Sequence, residues 1–266
     1  MNSLYLNLIK PNLDNDKNFL FEDDGSSITY KDFIAFASKV SHKLTNLGLN
    51  TGDIILVKSP KSKEALSVYL TSILTGTVYL PLNSSYTINE TIYFIKDAHP
   101  SFFICEENDI DELKPICDEI NCKILSLNKD GSGKLTELIN TYSNYFEPSE
   151  RNLNDLAALL YTSGTTGKPK GAMLSQENLV SNSKALSDLW EISNKDQLIH
   201  SLPIYHTHGL FVAINTSMIA GASIRFIKGF NLDLIIEAIP NSTLLMGVPT
   251  FYTRLLKDKR LTKFLT

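Results

Sequence analysis

The sequence has 266 residues, 43% of them hydrophobic and 20% charged, enough apolar material for one large α/β domain or two smaller ones. Its net charge of −4 provides no basic face, so no nucleic-acid footprint is expected. The N-terminal "MNSLYLNLIKPNL" lacks the cationic start and unbroken apolar run of a secretory signal, and no apolar stretch approaches bilayer length. The expected address is therefore cytoplasmic, with no membrane partner.

Along the first 130 residues, helices and strands are predicted to alternate. Phe33, Phe36, Ala37, Val40, Leu44 and Leu47 recur at three- and four-residue spacing, which predicts one helix face, with Gly48 as its left-handed stop. Asp53–Val57 reads as a buried strand, followed by a helix around Lys63–Leu74 and a strand at "VYLPL". Thr87 and Glu90 have the spacing of a capping box and open a helix through Ile88, Ile92 and Ile95. "SFFIC" and "CKILSL" are two further strands, separated by a helix near Asp109–Ile120. Such alternation implies right-handed crossovers and a mainly parallel sheet. Residues 128–153 are polar and turn-rich and read as the connection between a first α/β lobe, 1–150, and a second, 151–266. The second lobe opens with the apolar "DLAALLYTS"; "GAML" is a short strand, and Ser175 caps a helix carrying Leu179, Leu186 and Leu189.

Cys105, Cys117 and Cys122 match no C-x-x-C motif, and their odd number argues against a disulfide framework; reduced, partly buried thiols are expected. No H-E-x-x-H pair occurs among the five histidines, so no metal site is assigned. No G-x-G-x-x-G follows any predicted strand, which removes a dinucleotide fold of the Rossmann type.

The segment "YTSGTTGKPKG", Tyr161–Gly171, concentrates glycine, hydroxyl and lysine residues in one loop. It is not a Walker A loop: Thr162 stands where the first glycine belongs, and Pro169 stands where a magnesium-binding hydroxyl belongs. Gly164 and Gly167 nonetheless let backbone N–H groups converge on an anion, while the neighbouring hydroxyls and lysines add donors and charge. Composition alone leaves a polyphosphate site and an ordinary exposed turn as alternatives.

"YTSGTTGKPKGAMLSQENL" resembles the phosphate-binding signature of the adenylate-forming superfamily, which includes acyl-CoA synthetases, luciferases and peptide-synthetase adenylation domains. "SLPIYHTHGL" (Ser201–Leu210) resembles that family's aromatic and substrate-pocket motif, and "LLMGVPTFYTRLL" (Leu244–Leu256) resembles the segment lining its acyl pocket. The last two blocks are most similar to malonyl-CoA synthetases. The resemblance implies an α/β fold of parallel sheets flanked by helices, the N-terminal part of the adenylate-forming fold. It also implies a two-step ligase: a carboxylate attacks the α-phosphate of ATP, held with Mg2+, and coenzyme A then displaces AMP. By the same transfer Thr162, Ser163, Gly164, Thr165, Thr166 and Lys170 would hold the phosphates. His206 would lie at the acyl carboxylate and α-phosphate, with Thr207 and His208 shaping a small-acid pocket. Arg254 interrupts an apolar segment, and its planar guanidinium would bind the carboxylate of malonate that does not react.

Members of that family are about twice as long. No Y-G-x-T-E block, ribose-binding aspartate or C-terminal domain with its lysine follows in the sequence, so a truncated chain is expected. Three readings remain open: an N-terminal fragment, one chain of a split enzyme completed by a separately encoded C-terminal half, or a non-catalytic phosphate-binding remnant.

Overall fold

The computed structural model describes residues 1–162 and 169–261. Strands β1 (Asn18–Phe21) and β2 (Ser27–Thr29) precede the long helix α1 (Tyr30–Asn46). Regular alternation follows: β3 (Ile54–Lys58), α2 (Lys63–Thr75), β4 (Val78–Pro81), α3 (Ile88–Ala98), β5 (Phe102–Cys105), α4 (Glu107–Glu119) and β6 (Lys123–Ser126). Then come β7 (Leu156–Thr162), β8 (Lys170–Ser175), α5 (Gln176–Leu189) and β9 (Gln197–His200). A π-helical stretch (His208–Ile214) runs directly into α6 (Asn215–Ala220), followed by β10 (Ser223–Phe226), α7 (Leu232–Ala238), β11 (Leu244–Met246) and α8 (Pro249–Leu255).

The chain divides into two compact units: Met1–Lys10 with Phe33–Val180, and Pro11–Asp32 with Ser181–Thr266. In the first, six strands lie in the order β6-β5-β3-β4-β7-β8. All neighbours are parallel except β7 and β8, which form an antiparallel pair. Leu56, Leu80 and Phe103 from the strands pack with Phe94 and Ile95 of α3 and with Leu113 and Cys117 of α4. The expected local signals are present. The Thr87 side chain accepts from the Glu90 N–H while Glu90 reaches back to Thr87, closing the capping box of α3. Gly48 follows α1 with φ 98°, a conformation costly to any residue with a Cβ. Ser175 accepts from the Asn178 N–H at 3.2 Å and starts α5.

The second unit holds a five-stranded sheet in the order β11-β9-β10-β1-β2. β11, β9, β10 and β1 run parallel, and β2 turns back antiparallel on β1. On one face Ile199 of β9 packs with Ile235, Ile236 and Ala238 of α7 and with Leu255 of α8. The buried Tyr30 hydroxyl donates to the carbonyls of Ser217 and Ala222, at 3.1 and 2.6 Å, anchoring the N-terminal strands to α6.

Three expectations need correction. The two units do not meet at residue 150: β7 pairs in parallel with β4, Tyr79 beside Ala158, so the phosphate-loop hairpin belongs to the first sheet. The open edge of β4 takes up the apolar run of Ala157, Ala158 and Leu160, all buried. Residues 128–153 are accordingly not a linker but a surface connection within that unit, pinned by buried Leu135 and by the Ser149 N–H donating to Leu74. Finally, Leu47 and Leu189 are exposed, because each lies at the last turn of its helix or just beyond it, past the core.

Candidate functional site

Thr162 and Lys170 are the last ladder pair of the β7–β8 hairpin, at the end nearest the segment that joins its two strands. Both are exposed, and the Thr162 hydroxyl donates to the Lys170 carbonyl at 3.4 Å. The expected phosphate ligands Ser163, Gly164, Thr165 and Thr166 lie outside the described residues. The stems on either side are held to α3. Tyr161 donates to Asp97 Oδ2 at 2.5 Å and meets the Phe94 ring edge-on at 4.7 Å, while Tyr93 donates to the Pro169 carbonyl at 3.1 Å. Burial, then the hydrogen bond to Asp97, pushes the Tyr161 phenol upward, so it remains a protonated donor.

In the second unit, the segment Ser201–His208 leaves the carboxyl end of β9 and enters the π-helical stretch. Its two ends are tied: buried His200, the last residue of β9, hydrogen-bonds through Nε2 to the Gly209 carbonyl at 2.7 Å and stacks on Phe226 at 5.6 Å. Gly209 is needed there because a Cβ would lie 2.0 Å from the Pro203 carbonyl oxygen. The closed loop presents His206 and Thr207 to solvent and leaves His208 half-buried. π-Helical turns of this kind concentrate at functional sites. Tyr205 meets the His206 ring edge-on at 4.6 Å.

Arg254 lies on α8, which follows β11. Since β11 and β9 are parallel neighbours, with Met246 opposite His200, the His206 loop and the start of α8 leave the same edge of one sheet. Ligands of open α/β sheets bind at the carboxyl ends of strands. Phe251 and Leu255 turn inward on α8, whereas Arg254 is exposed, its guanidinium 5.2 Å from the Phe230 ring centre. It forms no hydrogen bond or ion pair with a described residue, unlike Arg260, which is engaged by Asp233 and Asp258. The fork of donors on Arg254 is thus available to an anion. Thr162 and Lys170 belong to the first unit, and His206, Thr207, His208 and Arg254 to the second. Tyr93, Asp97 and His200 were not foreseen from the sequence; of the three, His200 alone stands beside a recognised motif, directly before Ser201.

Partial shielding of its ring lowers the His206 pKa below the ordinary 6.5, so the imidazole is neutral at pH 7, able to donate from one nitrogen and accept at the other. The neutral form is favoured in the folded state, so protonation opposes folding: stability is complete above the unfolded value of 6.5 and is lost as pH falls below it. Titration of the His206 ring protons by NMR is expected to give a midpoint below 6.5; a midpoint above it would point to an unrecognised acidic partner.

Among the described residues no group of three or more His, Cys, Asp or Glu side chains could hold a metal ion, and no helix is long and apolar enough to cross a membrane. Cys105, Cys117 and Cys122 are buried free thiols.

A family model described as AMP-binding enzyme matches residues 11–265. The ATP-bound crystal structure of MatB from Rhodopseudomonas palustris superposes with a TM-score of 0.95 and 44% identity, covering 98% of this chain and 52% of that one. Malonate–CoA ligase of Arabidopsis thaliana is 29% identical, covering 87% of this chain and 40% of that protein. 4-Coumarate–CoA ligase 1 of Petroselinum crispum is 26% identical, covering 90% of this chain and 46% of that protein. The chain spans about half the length of these relatives. Its mixed sheets flanked by helices match the N-terminal domain of the adenylate-forming fold. With a matching model over nearly the whole sequence and CoA ligases among its relatives, the chain belongs to the AMP-binding enzyme family.

Proposed function

We propose that this chain forms the nucleotide-phosphate and carboxylate half of an ATP-dependent, AMP-forming acyl-CoA ligase whose acid is malonate. The observation that carries the choice of acid is Arg254, an exposed guanidinium with no carboxylate partner among the described residues, emerging at the same sheet edge as the His206 loop. A dicarboxylate needs a cation for the group that does not react, whereas a monocarboxylate does not. The 44% identity to MatB and the similarity to a malonate–CoA ligase support the same reading.

In the first step a carboxylate oxygen forms a bond to the α-phosphorus of ATP, and the bond to the bridging oxygen of pyrophosphate breaks. In the second, the thiol sulfur of coenzyme A bonds to the acyl carbon, AMP departs, and the thiol proton is released. Ser163, Gly164, Thr165 and Thr166, with Thr162 and Lys170, are assigned to the β- and γ-phosphates, where preorganised donors spread the leaving-group charge. His206, neutral at pH 7, is assigned a hydrogen bond to the reacting carboxylate or the α-phosphate oxygen without adding a second cation. Thr207 and His208 are assigned to the wall of a pocket for a short acid, and Arg254 to the distal carboxylate.

Adenine, ribose and magnesium contacts, and the closing motion that excludes water, are assigned to the rest of the ligase fold, whether in the same polypeptide or a second one. The test joins residues 1–266 to the part of MatB that the chain does not match and measures carboxylate-dependent pyrophosphate release. Malonate is expected to exceed acetate and butyrate. The 266 residues alone are expected to bind pyrophosphate weakly and to release none from ATP, because positioning supplies much of the acceleration. A fusion that prefers acetate would overturn the malonate assignment, and robust turnover by the chain alone would overturn the division of labour.

A further inference from the structure

Helix α3 carries an acidic residue where helix electrostatics disfavours one. Asp97 is the penultimate residue of Ile88–Ala98, at the end where unpaired carbonyls gather negative charge. A carboxylate there faces the negative end of the helix dipole and is disfavoured unless it finds a donor. Its partner lies outside the helix: the Tyr161 hydroxyl donates to Asp97 Oδ2 at 2.5 Å. One helical turn earlier on the same face, Tyr93 donates to the Pro169 carbonyl at 3.1 Å. Tyr161 and Pro169 stand on opposite stems of the β7–β8 hairpin, so a single turn of α3 grips both. Phe94 fills the space between, its ring 4.7 Å from Tyr161 and 5.4 Å from Tyr93, both edge-on. Below the grip the hairpin packs closely, for a Cβ on Gly171 would lie 2.8 Å from Leu159 Cδ1.

We propose that Tyr93 and Asp97 are positioning residues that fasten both stems of the β7–β8 hairpin to α3, so that Thr162 and Lys170 are in place before a polyphosphate arrives. The proposal rests on the reading of this hairpin as phosphate-binding. Its physical content is preorganisation. Stems that are loose before binding must lose that freedom when a ligand arrives, and each side chain ordered at that moment subtracts from affinity. Two side-chain hydrogen bonds from a rigid helix remove that loss in advance. Neither residue touches the nucleotide in this scheme; both act through the stems.

The experiment uses Asp97→Ala, Asp97→Asn, Tyr93→Phe and the Asp97→Ala/Tyr93→Phe pair in residues 1–266. Amide hydrogen exchange is measured at Thr162, Lys170 and Gly171, and inorganic pyrophosphate is titrated by calorimetry. Loss of either hydrogen bond is expected to speed exchange at the stems about fivefold and to weaken pyrophosphate binding by a similar factor. The double variant is expected to lose more than either single one, with thermal midpoint and exchange in β3 and β4 unchanged. Asp97→Asn keeps an acceptor oxygen for Tyr161 and is expected to restore both quantities. Unchanged stem exchange in the double variant overturns the clamp. Faster exchange with unaltered pyrophosphate affinity overturns its role in positioning. If the unaltered chain binds no pyrophosphate, the phosphate reading of the hairpin fails, and stem exchange still decides whether the clamp exists.

Discussion

Gly209→Ala is expected to destabilise the second unit by about 3 kcal/mol, at the upper end of what overpacking costs, and to remove the His206 loop from its place. The added Cβ would meet the Pro203 carbonyl oxygen at 2.0 Å and its carbon at 2.9 Å. Both are backbone atoms, so no side-chain rotation relieves the clash. The Gly209 carbonyl also accepts from buried His200, and any shift of the π-helical stretch breaks that 2.7 Å bond inside the core. Gly229→Ala is the control, since a Cβ there meets nothing within 4 Å. Denaturant unfolding monitored in the second unit distinguishes them: a large drop in midpoint for Gly209→Ala beside a near-neutral Gly229→Ala. Equal midpoints would mean that the loop closure contributes little.

Arg254→Leu, made in the fusion with the remaining half of MatB, is expected to lower kcat/KM for malonate about 100-fold while changing that for butyrate less than threefold, because a distal carboxylate left desolvated without a cation is strongly penalised. Arg254→Lys should recover only part of the loss, as an ammonium cannot pair with both carboxylate oxygens in one plane. The competing role is structural: the guanidinium lies 5.2 Å from the Phe230 ring centre, and Phe230 in turn packs on Phe251 at 4.5 Å. A purely structural arginine would lower activity toward both acids in parallel and reduce the thermal midpoint. Steady-state kinetics on the two acids, with melting curves for each variant, separates the roles. Parallel losses would withdraw the main physical support for malonate.

The amino-acid sequence by itself determined the features that depend on neighbours a few residues apart. Thr87 and Glu90 close their capping box, Ser175 starts α5, Gly48 adopts its left-handed turn, and apolar spacing marks β3 to β6 with their helices. The phosphate-loop motif is equally local, a composition that any reader of the chain can find. Only the tertiary structure decided which sheet each strand joins. β1 pairs with β10 across some two hundred residues, Leu20 beside Ile224, and β7 fills the open edge beside β4 rather than founding a second lobe. An apolar run of period two fits either sheet equally well, and the choice is made by which edge is open and which side chains meet there. The clamp from Tyr93 and Asp97 and the His200–Gly209 tie are hidden for the same reason. Tyr161, Pro169 and Gly209 lie in recognisable motifs, but nothing local marks Tyr93, Asp97 and His200 as their partners until the fold brings them within hydrogen-bond reach.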